Sequence, residues 1–205
     1  MLFKFEKIQT KFGLKIKDFE ISKDKVTFIM GRSGIGKSSA LKLLNRTESI
    51  QKGNIYYESK NIIHYDPIFL RKEVLLVSQS SYLFLGSIQN NFDKFRKLRG
   101  STPIQSEQMQ SYLSLCALDL PLEALSQNLS GGEKHRVYLA IFISFLPKVL
   151  LVDEPTAALD EKTGDQLISN IKTFCLNKGI KLIVVTHERT LAEKFGEELL
   201  EMEER

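Results

Sequence analysis

Residues 31–38 read GRSGIGKS, a glycine-spaced turn that ends in Lys37 and Ser38. The spacing G-x-x-x-x-G-K-[ST] suits the gripping of a chain of phosphates. Gly31, Gly34 and Gly36 would let the backbone curl, so that N–H groups from Arg32 and Ser33 through Ile35 to Ser39 surround the phosphate oxygens. Lys37 would reach the outer phosphates, and the Ser38 hydroxyl would ligate Mg²⁺. A plain turn between strand and helix needs neither a lysine nor a serine after it.

Three further stretches carry chemistry. In VLLVDEPTAALDE (149–161) an apolar strand ends in Asp153, a carboxylate suited to hold the Mg²⁺ shell. Glu154 follows directly and could orient or deprotonate a water. Two acids after a strand could also be a solvated loop or a helix start; the phosphate loop upstream favours the chemical reading. In LSGGEKHR (129–136) a serine and two glycines precede a charged, helix-forming run. Ser130 would either N-cap that helix or bond a phosphate, and Gly131 and Gly132 would allow close backbone approach. Gln79 in VSQ (77–79) and His187 in VVTH (184–187) each close an apolar run.

These residues need strand ends to hold them. VTFIM (26–30), VLLV (74–77), VLLV (149–152) and KLIVV (181–185) read as strands buried on both faces of a parallel sheet. Helical stretches start near Lys37, Ser130 and Lys162, so the alternation predicts a three-layer α/β fold. LFKFEKI (2–8) and LKIKDFEI (14–21) alternate as half-exposed antiparallel strands do. Residues 87–128 are polar, carry Pro103 and Pro121, and hold no strong strand. The expectation is a nucleotide-binding core from 1–86 and 129–205, with 87–128 as an inserted helical subdomain.

Composition narrows the class. A chain of 205 residues with 42% hydrophobic and 26% charged content builds an ordinary globular core without staples. Cys116 and Cys175 form no CxxC pair and read as buried thiols of a reducing compartment. The start of the chain lacks a signal-peptide pattern. The run VYLAIFISFL (137–146) stops at Pro147, too short for a bilayer span, and reads as a buried helix. A net charge of +4 does not argue for nucleic acid. The basic run FDKFRKLRG (92–100) reads as a solvated helix face.

In their order along the chain, the phosphate loop, VSQ, LSGGEKHR, VLLVDEPTAALDE and VVTH resemble the ATP-binding cassette (ABC) ATPases over nearly the whole sequence. The resemblance implies a P-loop NTPase core of mainly parallel sheet, with an N-terminal antiparallel β subdomain and the helical insert, using ATP and Mg²⁺. It implies that Gln79 touches Mg²⁺ and water and senses a membrane partner, that Asp160 is the D-loop acid, and that His187 contacts the γ-phosphate. It implies that Ser130, Gly131, Gly132 and Glu133 act in trans, capping the ATP bound by a second cassette in a head-to-tail homodimer or paired cassette. Phe12 is the expected adenine-stacking aromatic, with Phe5 as the alternative. The expected partner is an integral-membrane permease rather than nucleic acid, which would put the chain on the cytoplasmic face of the cell membrane.

At a finer level the chain looks most like small bacterial iron-export (Fet-type) ATP-binding subunits, and LFLGSIQNN (83–91) is similar to a segment common in exporters, so export is expected. The short tail after His187 is read as leaving no room for a regulatory domain. Ile35, Ser39, Glu133, His135 and Ala157 depart from the common pattern; only Ala157 touches a named function, the D-loop coupling. The alternative is a non-transport ABC ATPase acting on nucleic acid or a protein complex. Against it, no sustained heptads lie between Gln79 and Leu129, zinc-type cysteine pairs are missing, and the chain holds one cassette. A guanine reader is also missing, because NKGI (177–180) has Ile180 where an acid should stand.

Overall fold

The computed structural model describes residues 1–11 and 13–202. The chain divides into two compact units: one of Met1–Leu76, Pro147–Glu154 and the chain from Gly179 onward, the other of Val77–Leu146 and Pro155–Lys178.

The first unit holds two sheets. β1 (Phe3–Thr10) pairs antiparallel with β2 (Lys15–Ile16) and β3 (Phe19–Ile21), Ile8 opposite Ile16 and Phe3 opposite Ile21. The expected second strand is thus split. The break falls where the Asp18 carboxylate accepts the Lys7 N–H at 2.7 Å, which takes Lys17–Asp18 out of the ladder. β4 (Thr27–Met30) begins the other sheet and feeds α1 (Lys37–Leu44) through the phosphate loop. β5 (Ile50–Tyr57) then returns to β1 and turns into β6 (Lys60–Asn61).

The β1–β5 register shifts between Glu6 and Gln9, and Gly53 makes that irregularity feasible. Its φ is +94°, and a Cβ there would sit 2.4 Å from the Glu6 carbonyl oxygen.

The second sheet runs β10–β4–β9–β8–β7, with α2 (Pro67–Glu73) leading into β7 (Val74–Val77), then β8 (Val149–Asp153), β9 (Lys181–Val185) and β10 (Glu198–Glu201). β10, β4, β9 and β8 are parallel. All four expected strands are present. β10 escapes the sequence pattern, because ELLE alternates half-buried and exposed residues at the end of the sheet and lacks a long apolar run.

Phe3, Phe5, Tyr57 and the inner face of α1 (Ala40, Leu41, Leu43, Leu44) join Val149, Leu151, Ile183 and Val185 in one core. Each large side chain buried there contributes roughly 1.5–3 kcal/mol.

The second unit is helical: α3 (Ile88–Arg99), α4 (Ser106–Leu115), α5 (Gly131–Ile143) and α6 (Glu161–Lys178). α4 packs on α3, α5 and α6. Ser87 caps α3 by accepting the Asn90 N–H, and Gly100 ends it in the left-handed conformation. Residues 87–128 contribute α3, α4 and an isolated bridge between Ser87 and Leu125.

The basic run is only in part the solvated face that its composition suggests: Lys94 and Lys97 are exposed, while Arg96 and Arg99 are drawn into the packing. Arg96 is 7% exposed and donates to the Thr102 and Ser144 carbonyls, and the Arg99 guanidinium lies 4.6 Å from the Phe145 ring centroid. Long basic stems covering aromatic surface are packing elements, whatever their charge. Cys116 and Cys175 are buried free thiols. Among the described residues no helix is long and apolar enough to cross a membrane. Residues 137–143 of the apolar run form the end of α5, with Val137, Leu139, Ala140, Ile141 and Ile143 buried, and the helix stops before the last three residues of the run.

Candidate functional site

The phosphate loop joins the end of β4 to α1. Gly36 caps α1 with a φ of +100°, and a Cβ at that point would lie 2.2 Å from Leu14 Cδ2. Only glycine makes this turn without strain. Ile35, bulkier than the residue expected there, packs against the core.

Lys37 is buried, and its Nζ donates to the carbonyls of Gly31 (2.8 Å) and Arg32 (3.1 Å). The same nitrogen lies 3.8 Å from Glu154 Oε1. Glu154 directly follows β8 with a φ of +51°, its N–H bonded to the Val185 carbonyl at the end of β9. Such a conformation is costly for a residue with a side chain and recurs at functional sites. His187, two residues beyond β9, brings Nδ1 to 2.7 Å from Glu154 Oε2, where a protonated Nδ1 donates to the carboxylate. Lysine, glutamate and histidine from the turns after β4, β8 and β9 thus meet in one network. The direct Glu154–His187 bond is not legible in the sequence, since 33 residues separate them.

Asp153 is 4% exposed. Burial pushes its carboxyl above the usual aspartate range, a hydrogen bond from the Ser38 hydroxyl pulls it down, and the Glu154 charge adds to the rise. Its Oδ1 is buried without a hydrogen-bond partner. An orphaned, buried carboxylate oxygen beside a serine hydroxyl is a hard oxygen donor pair, and it suits Mg²⁺, which takes few protein ligands and completes its shell with phosphate and water.

In the second unit, Ser130 N-caps α5. Its hydroxyl accepts the Glu133 N–H at 3.3 Å, while Glu133 Oε2 accepts the Ser130 N–H at 2.8 Å, a capping box. Of the two roles open to Ser130, capping is the one its contacts serve. Gly131 has no atom within 4 Å of a would-be Cβ, and Gly132 faces the Ala158 carbonyl at 3.5 Å. Asp160 accepts the Thr163 N–H at 3.0 Å and its hydroxyl at 2.7 Å. Gln79 is exposed, and the half-buried His135 of α5 hydrogen-bonds its backbone.

The structure therefore brings Lys37, Ser38, Asp153, Glu154 and His187 together in the first unit. Gln79, Ser130–Glu133 and Asp160 belong to the second. Phe12, the expected adenine partner, lies outside the described residues. Phe5, its alternative, is fully buried and stacked on Phe19 at 4.3 Å, so it has no free face to offer a base. Asn91 escapes any reading of the sequence: it is a fully buried asparagine that clamps the Phe84 backbone.

Comparison with known proteins gives the same answer as the geometry. The chain is 29% identical over 208 residues to the glutamine transport ATP-binding protein GlnQ of Escherichia coli, covering 97% of this chain and 86% of GlnQ. It is 34% identical over 198 residues to the phosphate import ATP-binding protein PstB of Borreliella burgdorferi, covering 88% and 74%. Its fold matches the dimeric, post-hydrolysis ATP-binding cassette MJ0796 bound to ADP and Pi, with a TM-score of 0.83, 25% identity, and coverage of 98% and 94%. The sequence model of the ABC transporter family matches residues 14–157. With its fold, its loop and its strand-end acids in agreement with that match, the protein belongs to the ABC transporter family and is an ATP-hydrolysing cassette of it.

Proposed function

We propose that the chain is the ATP-binding subunit of a transporter, driving a separate membrane permease through an ATP-dependent pair of cassettes. The observation that carries this is the convergence of Lys37, Ser38, Asp153, Glu154 and His187 at the strand ends of the parallel sheet. Ser38 and Asp153 would hold Mg²⁺, which supplies charge neutralisation for the phosphates when bound. Lys37 leaves its carbonyl partners for the phosphates. Glu154 accepts a proton from the attacking water, and His187 holds the carboxylate in place and reaches towards the γ-phosphate. Gln79 is proposed to join the Mg²⁺ and water contacts. Arg32, Ser33, Gly34, Ile35 and Ser39 lend backbone or hydroxyl groups to the phosphates, and Asp160 acts at the cassette interface.

The loop Ser130–Glu133 acts in trans. Because Ser130 is engaged by Glu133, the exposed backbone at Gly131, at the start of α5, is what it offers a partner's γ-phosphate. The protein would lie at the cytoplasmic face of the cell membrane.

The direction of transport follows the relatives more than the exporter-like segment. PstB is named for import and GlnQ for glutamine transport, so uptake of a small polar solute is favoured over the export that LFLGSIQNN suggests and over the iron of the Fet-type resemblance. Affinity capture from membranes, run beside a nucleic-acid retention assay at physiological salt, tests the assignment. A multi-span membrane protein held in an ATP-dependent manner is the expected result. Retention on nucleic acid without any membrane partner would transfer the protein to the non-transport class.

A further inference from the structure

The Gln79 segment and the loop Ser130–Gly132 lie far apart in the sequence, yet the second unit builds them into one packed body. After Gln79 the chain runs through Tyr82–Gly86 without regular structure. It is nevertheless pinned. Asn91 Oδ1 accepts the Phe84 N–H at 2.8 Å, while its Nδ2 donates to the Phe84 carbonyl at 3.0 Å and the Ser87 carbonyl at 2.9 Å. The Ser126 hydroxyl donates to the same Phe84 carbonyl at 2.8 Å, and the Ser126 N–H to the Gly86 carbonyl at 2.9 Å. Asn91 is fully buried and uses both amide hydrogens and its oxygen, so this side chain stands in for a missing strand partner.

From there an aromatic column continues to α5. Phe84 meets Phe95 at 5.2 Å between centroids, and Phe95 meets Tyr138 and Phe142 of α5 at 5.7 Å each. Tyr138 and Phe142 pack on each other at 4.1 Å, on the helix whose first turn is the Ser130–Glu133 loop.

We infer that Asn91 is a positioning residue of the ATPase reaction, locking the segment after Gln79 to α3 and, through Phe95, to the helix that presents Gly131. This rests on the proposed reading of Gln79 and of the Ser130–Glu133 loop. Its physical content is that the two nucleotide-facing elements of this unit move together. A shift imposed on the Tyr82–Gly86 segment is delivered to α5 because the buried hydrogen bonds and the ring contacts leave no slack to absorb it.

Asn91→Asp keeps the size and removes both donors, setting an oxygen against the Phe84 and Ser87 carbonyls. In the full-length protein, with ATP and Mg²⁺, nucleotide bound per chain and its affinity should stay within about twofold, because the phosphate loop is untouched. The kcat should fall about tenfold or more, the scale of loss that small misplacements bring. Phe95→Leu keeps an apolar side chain and should repeat the pattern more weakly, which covers the case that Asn91→Asp does not fold.

A merely structural role predicts the other pattern: nucleotide bound per chain falls in step with turnover. That result, or a normal kcat in the folded variants, overturns the inference. Gly131→Asp in the same assay separates the two levels. If Gly131→Asp is inactive while Asn91→Asp turns over normally, only this inference falls. If Gly131→Asp is fully active, the reading of the loop fails and the inference with it.

Discussion

Two pairs of carboxylates, one pair in each unit, stand at the ends of regular elements, and their environments differ. Glu133 and Asp160 sit at the starts of α5 and α6, and each accepts hydrogen bonds from a Ser or Thr of the same turn. Those bonds hold both carboxyls below their usual range, and the helix starts leave them satisfied. Asp153 and Glu154 close a buried strand instead. Asp153 keeps one oxygen orphaned and is pushed up by burial, while Glu154 hangs on a left-handed backbone between Lys37 and His187.

Unmet hydrogen-bonding capacity costs stability and persists where chemistry uses it. The first unit keeps it in the side chain of Asp153. In the second, Ser130 and Glu133 beside the glycine loop are paired with one another, while His135 Nε2 and Arg136 Nε further along α5 are buried without a hydrogen-bond partner. On the proposed reading the two loops suited to anions divide the work, the one beside Asp153 and Glu154 to react and the one at Gly131 to cap a partner's nucleotide.

Glu154→Gln should do the most damage to the reactive side of this division. The amide keeps the size and removes the proton acceptor, so turnover should fall about 100- to 10,000-fold while ATP still binds. Single-turnover hydrolysis beside nucleotide binding measures both, and near-normal turnover would remove Glu154 from the reaction. A paired test follows for the second unit. Lys37→Ala disables the phosphate loop of its own chain. Gly131→Asp sets a negative charge at the other loop, where open space around the would-be Cβ leaves the fold undisturbed.

Each variant alone should be inactive. Mixed together, they form some heterodimers with one wholly intact composite site, and ATPase should return to a sizeable fraction of the wild-type rate. Crosslinking confirms that the heterodimers exist. If heterodimers bind ATP and stay silent, a test for strict cooperativity between the two sites decides whether the trans-site model is dropped. Full activity of Gly131→Asp alone would show that the capping loop plays no part.

The strands β4, β7, β8 and β9 and three helix starts are legible because apolar runs and glycine-marked turns are local signals. The phosphate loop and strand-end acids are legible for the same reason: their chemistry demands fixed spacing. What cannot be read is whatever depends on distant partners. β10 lacks an apolar run and owes its place to Glu198, which bonds Ser22 and Thr27 across 176 and 171 residues of chain. Arg96 looks like surface charge, yet it is buried and donates to the Ser144 carbonyl and hydroxyl. Asn91 resembles any polar residue of a helix start, and nothing local reveals that Phe84 turns its backbone towards it. The split of the second strand at Asp18 likewise depends on Lys7 across the ladder.

A smaller effect concerns pH, and it separates carboxylates that hold the fold from those that cap a helix start. Glu198 is half-buried, and burial by itself would raise its pKa. The hydrogen bonds from Ser22 and Thr27 outweigh that and hold it below the ordinary glutamate value of 4.5. A carboxyl whose folded pKa lies below its unfolded one stabilises the fold fully above the unfolded value. That contribution is lost as pH falls through the folded pKa.

Solvent screening keeps that contribution small, so Tm should move by no more than a few degrees in a chain of this length. Thermal melts from about pH 7 down to about pH 3, the range that spans the loss, should therefore show Glu198→Gln less stable than the parent at neutral pH, with the two curves converging in acid. Asp160→Asn provides the contrast. Its carboxylate is fully exposed, screened by water and bonded only within its own helix start, so its melting curve should run close to parallel with the parent's from neutral pH to the onset of acid unfolding. If Glu198→Gln keeps a constant offset from the parent across the whole range, the loss is one of packing, and β10 is not held by the charge of Glu198.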